Sequence, residues 1–233
     1  MFDKIPTSWY FAILENTMST IVTKGNAKTK LLNAALAVIR LKGYSATTVD
    51  ELCATAGVTK GAFFHHFKSK DQLGVAAAQF WSETTGAKFA VAAYHDHADP
   101  LERVIGYLEF RKELLKGGVP EFTCLVGTMV QETYQTSPAI REACNRSISD
   151  HAAKLESDIE QAMRTGGLSP DWTAQSLALH TQAVLQGAFI LAKAKGGPDI
   201  AAQSVDHLIR YVMFLFKESV QPIQNIKSER MSK

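Results

Sequence analysis

TTVDELCATAGVTKGAFFHHFKSKDQL, residues 47–73, decides the fold of this chain. Thr48 with Glu51 three residues later is a capping box, which predicts the start of a helix. Apolar residues at positions 49, 52, 53 and 56 follow the spacing of one buried helical face. Gly57 accepts a left-handed backbone conformation and ends this predicted helix.

A second short helix is predicted directly after that glycine. Thr59 offers its N-cap, and the helix runs from Lys60 to about Phe67. Ser69 and Gln72 form a further capping box, so a third helix follows. Two short helices joined by a tight turn are typical of a helix-turn-helix, a motif that places its second helix in the DNA major groove.

The second helix has one face for the core and one for a partner. Phe63 and Phe67 are expected to anchor it, whereas Phe64 lies on the other face, where a large exposed aromatic ring is typical of a contact surface. The alternative is a small helical subdomain with a solvated basic face and Phe64 covered by a later helix. The outward residues are Lys60, Gly61, Phe64, His65 and Lys68.

Residues of about 28 to 73 resemble the DNA-binding signature of the tetracycline-repressor (TetR/AcrR-type) transcriptional regulators. Beyond Leu73 the resemblance is only of length and helix pattern. Phe64 stands where the family commonly has Tyr, so the hydroxyl that reaches a phosphate there is missing. The match is carried by Gly43, Tyr44, Thr47, Thr48, Val49, Ala56, Gly57, Val58, Lys60, Gly61, His65, His66, Phe67 and Lys70.

The predicted DNA contacts divide by position. Residues at the start of the second helix would lie nearest base edges and phosphates, Phe64 would meet a thymine methyl group, and residues at other helix starts would pair with phosphates. A basic arm before the first helix would lie along the backbone. The predicted set is Lys28, Thr47, Thr48, Thr59, Lys60, Gly61, Phe64, His65, Lys68 and Lys70.

Charge is unevenly placed in the 233-residue chain. The net charge is only +2, but residues 24–73 hold eight basic and three acidic side chains. A basic segment on a slightly acidic remainder suits a protein that touches a polyanion at one end. With 46% hydrophobic and 21% charged residues, the composition is that of an ordinary globular protein.

The sequence predicts no membrane span and no secretory signal. The three cysteines form no disulfide framework, which favours a reducing cytoplasm. Cys124 or Cys144 as a redox sensor is an alternative to a small core residue. A metal cluster at His95, Asp96 and His97 is an alternative to a polar loop. We expect the protein to bind no metal and no cofactor. We also expect it to have no catalytic residues, and therefore not to be an enzyme.

The fold expected is all-α, with about nine helices. Residues 1–27 form an extension with a basic arm, 28–73 a three-helix DNA-binding head, 74–217 a larger ligand-binding and dimerisation domain, and 218–233 a polar tail. Met18 is an alternative translation start. Helical punctuation predicts helices at about 29–42, 69–94, 99–117, 121–134, 137–166, 169–196 and 199–217.

The middle helices are predicted to enclose a small-molecule pocket with apolar walls and a few polar groups. His151 and His180 are effector candidates, with paired core histidines as the alternative. The expected lining is Tyr107, Phe110, Arg111, Leu114, Phe122, Leu125, Thr128, Met129, Ile148, His151, His180, Val184 and Phe189.

The last two long helices are apolar over more than one face, which favours a four-helix bundle with a second copy of the chain. Ordinary packing within one chain is the alternative, since helices often bury broad faces. The resemblance implies the same homodimer. The leading hypothesis is a dimeric regulator, a repressor, that leaves a near-palindromic double-stranded operator when a small molecule binds. An effector-independent or architectural DNA-binding protein is one alternative, and an enzyme with an accessory head is another.

Overall fold

The computed structural model describes residues 25–218, and every regular element among them is helical. The predicted arm before residue 25 and the polar tail after residue 218 lie outside these described residues. The helices are α1 (Ala27–Lys42), α2 (Val49–Ala56), α3 (Lys60–His66), α4 (Lys70–Ala90), a 3₁₀ turn (Ala93–Asp96), α5 (Pro100–Glu113), α6 (Val119–Phe122), α7 (Leu125–Thr133), α8 (Pro138–Thr165), α9 (Ala174–Lys195) and α10 (Asp199–Glu218).

The all-α prediction is confirmed, and so are the caps of the first helices. The Thr48 and Thr59 side chains accept hydrogen bonds from the backbone N–H groups of Glu51 and Ala62. Gly57 ends α2 with φ of 63°, in the left-handed region. The core of these helices is apolar and includes Leu31, Val38, Ile39, Leu52, Phe63 and Phe67.

Four helix boundaries differ from the prediction, and the helix expected to reach residue 117 ends at Glu113. The helix expected to reach residue 94 ends at Ala90. The helix expected over 121–134 is two helices, because Cys124 caps a new one and its Sγ accepts a hydrogen bond from Gly127 N. The helix expected from residue 169 begins at Ala174, where Thr173 and Ser176 cap each other reciprocally.

The described residues form two compact units. The first holds residues 25–85 and 123–147, and the second holds 86–122 and 148–218. Residues 74–85 and 123–147 therefore pack in the same unit as the helix-turn-helix. The division at residue 73 remains a prediction about which part reads DNA.

In the first unit, α7 holds the loop between α1 and α2. The Glu132 carboxylate accepts hydrogen bonds from the backbone N–H groups of Tyr44 at 3.2 Å and Ser45 at 2.7 Å. A Cβ on Gly43, which has φ of 93°, would meet this carboxylate. The loop conformation thus depends on a glycine and on a carboxylate 88 residues away.

In the second unit, ion pairs join helices that are distant in sequence. Lys112 on α5 lies 2.6 Å from Asp206 on α10. Arg103 Nε lies 2.8 Å from Asp158 Oδ1 on α8, and its guanidinium also donates to Gln161. Within residues 25–218, no helix has the length and apolar character needed to cross a bilayer.

Candidate nucleic-acid interface and small-molecule cavity

Helix α3 is fixed by two aromatic rings on its inner face. Phe63 is fully buried, and its ring lies 5.8 Å from that of Phe67. The backbone N–H of Phe67 closes the helix on Phe63 O at 2.8 Å. These contacts set the rotation of α3 about its axis, and therefore which residues face outward.

The outward face of α3 is open. Phe64 is 55% exposed, and its ring meets only the edge of Phe63 at 5.2 Å. A Cβ on Gly61 would have only the Thr59 hydroxyl within 4 Å, so this part of the surface is free for a close partner. Lys60, Gly61, His65 and Lys68 are all exposed, as the sequence predicted.

Acidic side chains of α2 engage two nearby lysines. Lys60 Nζ lies 2.6 Å from Asp50 Oδ1, and this hydrogen bond raises the pKa of Lys60. Lys42 Nζ lies 2.5 Å from Glu51 Oε2. The basic face is therefore partly neutralised within the head itself.

Two predicted DNA contacts are placed inside the protein. The Thr47 side chain is buried, and its hydroxyl donates to Gly43 O at 2.6 Å. Lys70 Nζ donates to Tyr44 O and Thr47 O at 3.1 and 3.0 Å, above the Tyr44 ring. Both side chains hold the α1–α2 loop, so a phosphate contact by the Thr47 or Lys70 side chain would compete with these bonds, and their DNA contact stays a prediction. Thr48 and Lys28 are exposed.

The second unit contains a cavity of about 290 Å³ between α4, the 3₁₀ turn, α5 and α8. Aromatic rings form much of its wall. The Phe89 ring lies 5.6 Å from the Tyr107 ring and 4.8 Å from the His151 ring. The lining residues are Phe89, Ala90, Tyr94, His95, Tyr107, His151, Lys154, Leu155 and Asp158.

A hydrogen-bonded chain runs behind this wall. Gln182 Nε2 donates to the Tyr107 hydroxyl at 3.2 Å, and the same oxygen lies 2.9 Å from His151 Nε2. Burial, together with the charges of Arg111 and Lys154, lowers the pKa of His151 to about 3. Burial raises the pKa of Tyr107. Both groups are therefore neutral near neutral pH.

Two cations lie close to this chain. The Arg111 guanidinium stacks between the rings of Phe89 and Phe189, at 5.4 and 5.8 Å from their centroids. Cation–π contacts stabilise such a half-buried charge without neutralising it. Lys154 lines the cavity itself.

The predicted pocket residues are only partly brought together. Tyr107 and His151 line the cavity. Phe110 packs on Phe89 at 5.1 Å, and Phe122 lies 6.3 Å from Phe189. Leu114, Ile148 and Val184 are half-buried in the second unit, whereas Leu125, Thr128 and Met129 pack in the first unit.

His180 is not in the interior of the second unit. It is exposed, and its ring lies 5.3 Å from that of Tyr211 on α10. The expectation that it lines the pocket is corrected, because the buried face of α9 runs through Leu177, Thr181 and Leu185 instead.

Residues 154, 155 and 158 were missed, although they follow His151 at i+3, i+4 and i+7 on α8. That spacing was a usable signal, since it marks one helical face. No spacing in the sequence marked Phe89 or Tyr94 as cavity residues.

Cys53, Cys124 and Cys144 are free thiols, and burial raises the pKa of Cys144 to about 12. The described part of the chain brings no three His, Cys, Asp or Glu side chains together as a metal site.

The exposed α3 and its capped turn define a helix-turn-helix DNA-binding protein. The family described as "Bacterial regulatory proteins, tetR family" matches residues 31–77, and "Tetracyclin repressor-like, C-terminal domain" matches residues 100–208. The chain belongs to the TetR family of transcriptional regulators, as the sequence resemblance predicted.

Relatives and solved structures agree with this assignment. The chain is 28% identical to the transcriptional regulator LmrA of Bacillus subtilis, over 72% of this chain and 87% of that protein. It is 29% identical to the transcriptional regulator AcuR of Cereibacter sphaeroides, over 74% and 79%. A regulatory protein TetR structure from Rhodobacter sphaeroides has a TM-score of 0.69 and 26% identity, covering 80% of this chain and 98% of that one.

Proposed function

We propose that this protein is a homodimeric repressor that binds a near-palindromic operator through α3 and leaves it when a small molecule occupies the second unit. The observation that carries the proposal is the open outer face of α3, where Phe64 is 55% exposed beside lysine and glycine. A helix of this kind is the part of a helix-turn-helix that enters the major groove.

The outer face supplies both kinds of DNA contact. Lys60, Gly61 and His65, with Thr59, reach base edges and phosphates at the start of α3, and Phe64 meets a thymine methyl group. Thr48, Lys28 and Lys68 contact the phosphate backbone. Thr47 and Lys70 contribute indirectly, because they hold the loop on which α2 depends.

A second copy of the chain would cover the surplus apolar surface of α9 and α10. Six large apolar side chains on these two helices are exposed, a pattern typical of an interface rather than of a monomer surface. They are Leu179, Ile190, Leu191, Tyr211, Met213 and Phe214. Two heads in a symmetric dimer would read two related half-sites.

The effector is proposed to bind in the cavity beside Tyr107 and His151. A ligand shifts a protein only toward the state that it binds more tightly, so the DNA-bound state must bind it less well. Helix α4 carries Phe89 into the cavity wall, and its first residue follows directly on the helix-turn-helix. It is the proposed route by which binding alters the head.

The test is fluorescence anisotropy on DNA that flanks the gene of this protein, with unrelated DNA of equal length as the control, across a salt series. The expected result is sequence-selective binding that saturates at one or two dimers per site. Equal binding to both DNAs, lost steeply as salt rises, would instead indicate a distant operator or an effector-independent, non-specific binder.

A further inference from the structure

The chemistry of the cavity in the second unit restricts what the effector can be, an inference that rests on the proposed function of that site. At about 290 Å³ the cavity is at the small end of the range for ligand pockets. Ala90, His95 and Lys154 of its lining are exposed, so the cavity is open to solvent, and a compact molecule fits the enclosed space.

The charged side chains around the cavity carry a net positive charge. Asp158, the carboxylate of the lining, is neutralised by Arg103 at 2.8 Å. Lys154 also lines the cavity, at its exposed side, and no carboxylate of residues 25–218 forms an ion pair with it, so its ammonium group is open to an incoming anion. The Arg111 charge behind Phe89 adds to it, likewise without an acidic partner in the described part of the chain.

The hydrogen bonds among Gln182, Tyr107 and His151 leave one ring nitrogen of His151 available as a donor. Because Gln182 donates to the Tyr107 oxygen, the Tyr107 hydroxyl is free to donate to His151 Nε2. In that arrangement the neutral His151 ring carries its proton on Nδ1. Nδ1 is not among the buried side-chain atoms of residues 25–218 that have no partner, and in this arrangement it can donate to an acceptor on a ligand.

The remaining wall is made of rings. Phe89, Tyr94 and Tyr107 line the cavity, and the Tyr107 ring centroid lies 5.6 Å from that of Phe89 and 5.8 Å from that of Tyr94. Rings at these separations pack well against another flat ring, in stacked or edge-to-face arrangement. An aromatic ligand body suits this wall better than a flexible chain does.

We propose that the effector is a small aromatic carboxylate, held by Lys154 and the Nδ1–H of His151 at its anionic end and by Phe89, Tyr94 and Tyr107 at its ring. A carboxylate supplies an acceptor for His151 Nδ1–H and a negative charge for Lys154. An aromatic amine would bring a further positive charge into the same field.

Isothermal titration calorimetry on the full chain tests the ligand class with matched probes: benzoate and phenylacetate, their neutral amides, and benzylamine. The carboxylates are expected to bind about tenfold or more tightly than the amides, because charge-assisted hydrogen bonds are the stronger ones. Benzylamine is expected not to bind.

Two variants locate the anionic end. Lys154→Gln removes the charge and leaves a polar side chain that is one atom shorter, so it should weaken the carboxylates about tenfold and leave the amides unchanged. Lys116→Gln removes an exposed lysine outside the cavity and should change neither. A third variant, His151→Phe, should weaken the carboxylates by removing the donor.

The proposal is overturned if the amides bind as well as the carboxylates, if Lys154→Gln weakens both alike, or if neither carboxylate binds by about 10 mM. DNA release is measured separately, by anisotropy on an operator complex. Carboxylates that bind without releasing DNA would contradict the ligand-responsive function while leaving the ligand class intact. Release by the amides alone would support ligand response and refute this class.

Discussion

Lys60 Nζ lies 2.6 Å from Asp50 Oδ1, so the first residue of α3 is paired with a carboxylate of α2 on the surface proposed to meet DNA. Both side chains are well exposed. An ion pair between exposed groups is easily broken, and a phosphate is a competing partner for the lysine. The ion pair therefore weakens the electrostatic attraction between this surface and any DNA, but it does not block access to α3.

Asp50→Asn should release Lys60 and strengthen DNA binding. Affinity is expected to rise for operator and unrelated DNA alike, and the slope of log affinity against log salt should steepen by about one. Anisotropy across a salt series measures both. Glu142→Gln, which removes the partner of Arg146 on α8, is the matched control. Unchanged affinity and slope in Asp50→Asn would mean that the ion pair with Asp50 does not limit DNA binding by Lys60.

Phe64→Ala should reduce DNA binding without loss of stability. Its ring is 55% exposed, so its removal leaves the core intact, whereas operator affinity should fall by about 1 kcal/mol or more. Phe63→Ala on the inner face is the contrast, with an expected loss of stability of about 3–5 kcal/mol. Phe64→Tyr should raise affinity for all DNA sequences by adding a hydroxyl. Thermal unfolding and anisotropy together separate these outcomes, and equal operator affinity in Phe64→Ala would exclude Phe64 from the interface.

Glu132→Ala should destabilise the first unit by about 1 kcal/mol, because it removes the acceptor of two backbone donors of the α1–α2 loop, of which Ser45 N–H is exposed to water. Glu132→Gln retains one amide oxygen and should cost less. Urea unfolding followed by tryptophan fluorescence measures both. An alanine variant as stable as the wild type would show that the carboxylate does not hold the loop.

His151 should make the protein less stable in mild acid. Its pKa is about 3 when folded and 6.5 as the ordinary value, so below 6.5 the unfolded chain binds a proton that the folded chain refuses. Stability is therefore full above pH 6.5 and falls as pH drops toward 3, by up to about 1.4 kcal/mol per unit from this group. Urea unfolding at pH 7.5 and pH 5 should show a smaller loss in His151→Gln. The same pH dependence in both proteins would contradict a buried neutral His151.

Phe214→Glu should give a folded monomer. The side chain is 56% exposed on α10, so a carboxylate there costs little within one chain but opposes burial against a second copy. Sedimentation equilibrium measures the assembly state. Val91→Glu, at an 83% exposed apolar residue outside α9 and α10, should leave the dimer unchanged. A dimer that survives Phe214→Glu would place the interface elsewhere.

Local signals predicted the helix-turn-helix because they act over three or four residues. The caps at Thr48 and Thr59 are of this kind, and both are present. The break at Thr123 and Cys124 was missed, since apolar periodicity continues across it and a thiol is an uncommon cap. The start of α9 was misplaced because Pro170 is a frequent first helical residue, yet the reciprocal cap at Thr173 determines the start.

The cavity was only half predictable. Tyr107 and His151 followed from polar residues on apolar stripes, whereas Phe89 and Tyr94 enter the wall through packing that no short-range pattern encodes. His180 was misplaced because α9 is apolar on more than one side, so periodicity does not identify the inner face. A hydrogen-bond partner such as Gln182 becomes visible only once α5 and α9 are adjacent.

Glu132, reaching back to the loop after Gly43, limits how regulators of this kind can be recombined. A chimaera that joins a foreign head at residue 73 would pair its α1–α2 loop with an α7 that it did not evolve beside. A graft that also carries residues 74–85 and 123–147 would transfer the acceptor with its donors. The transplantable module is therefore discontinuous in sequence, and exchanging DNA specificity requires two segments to be moved together.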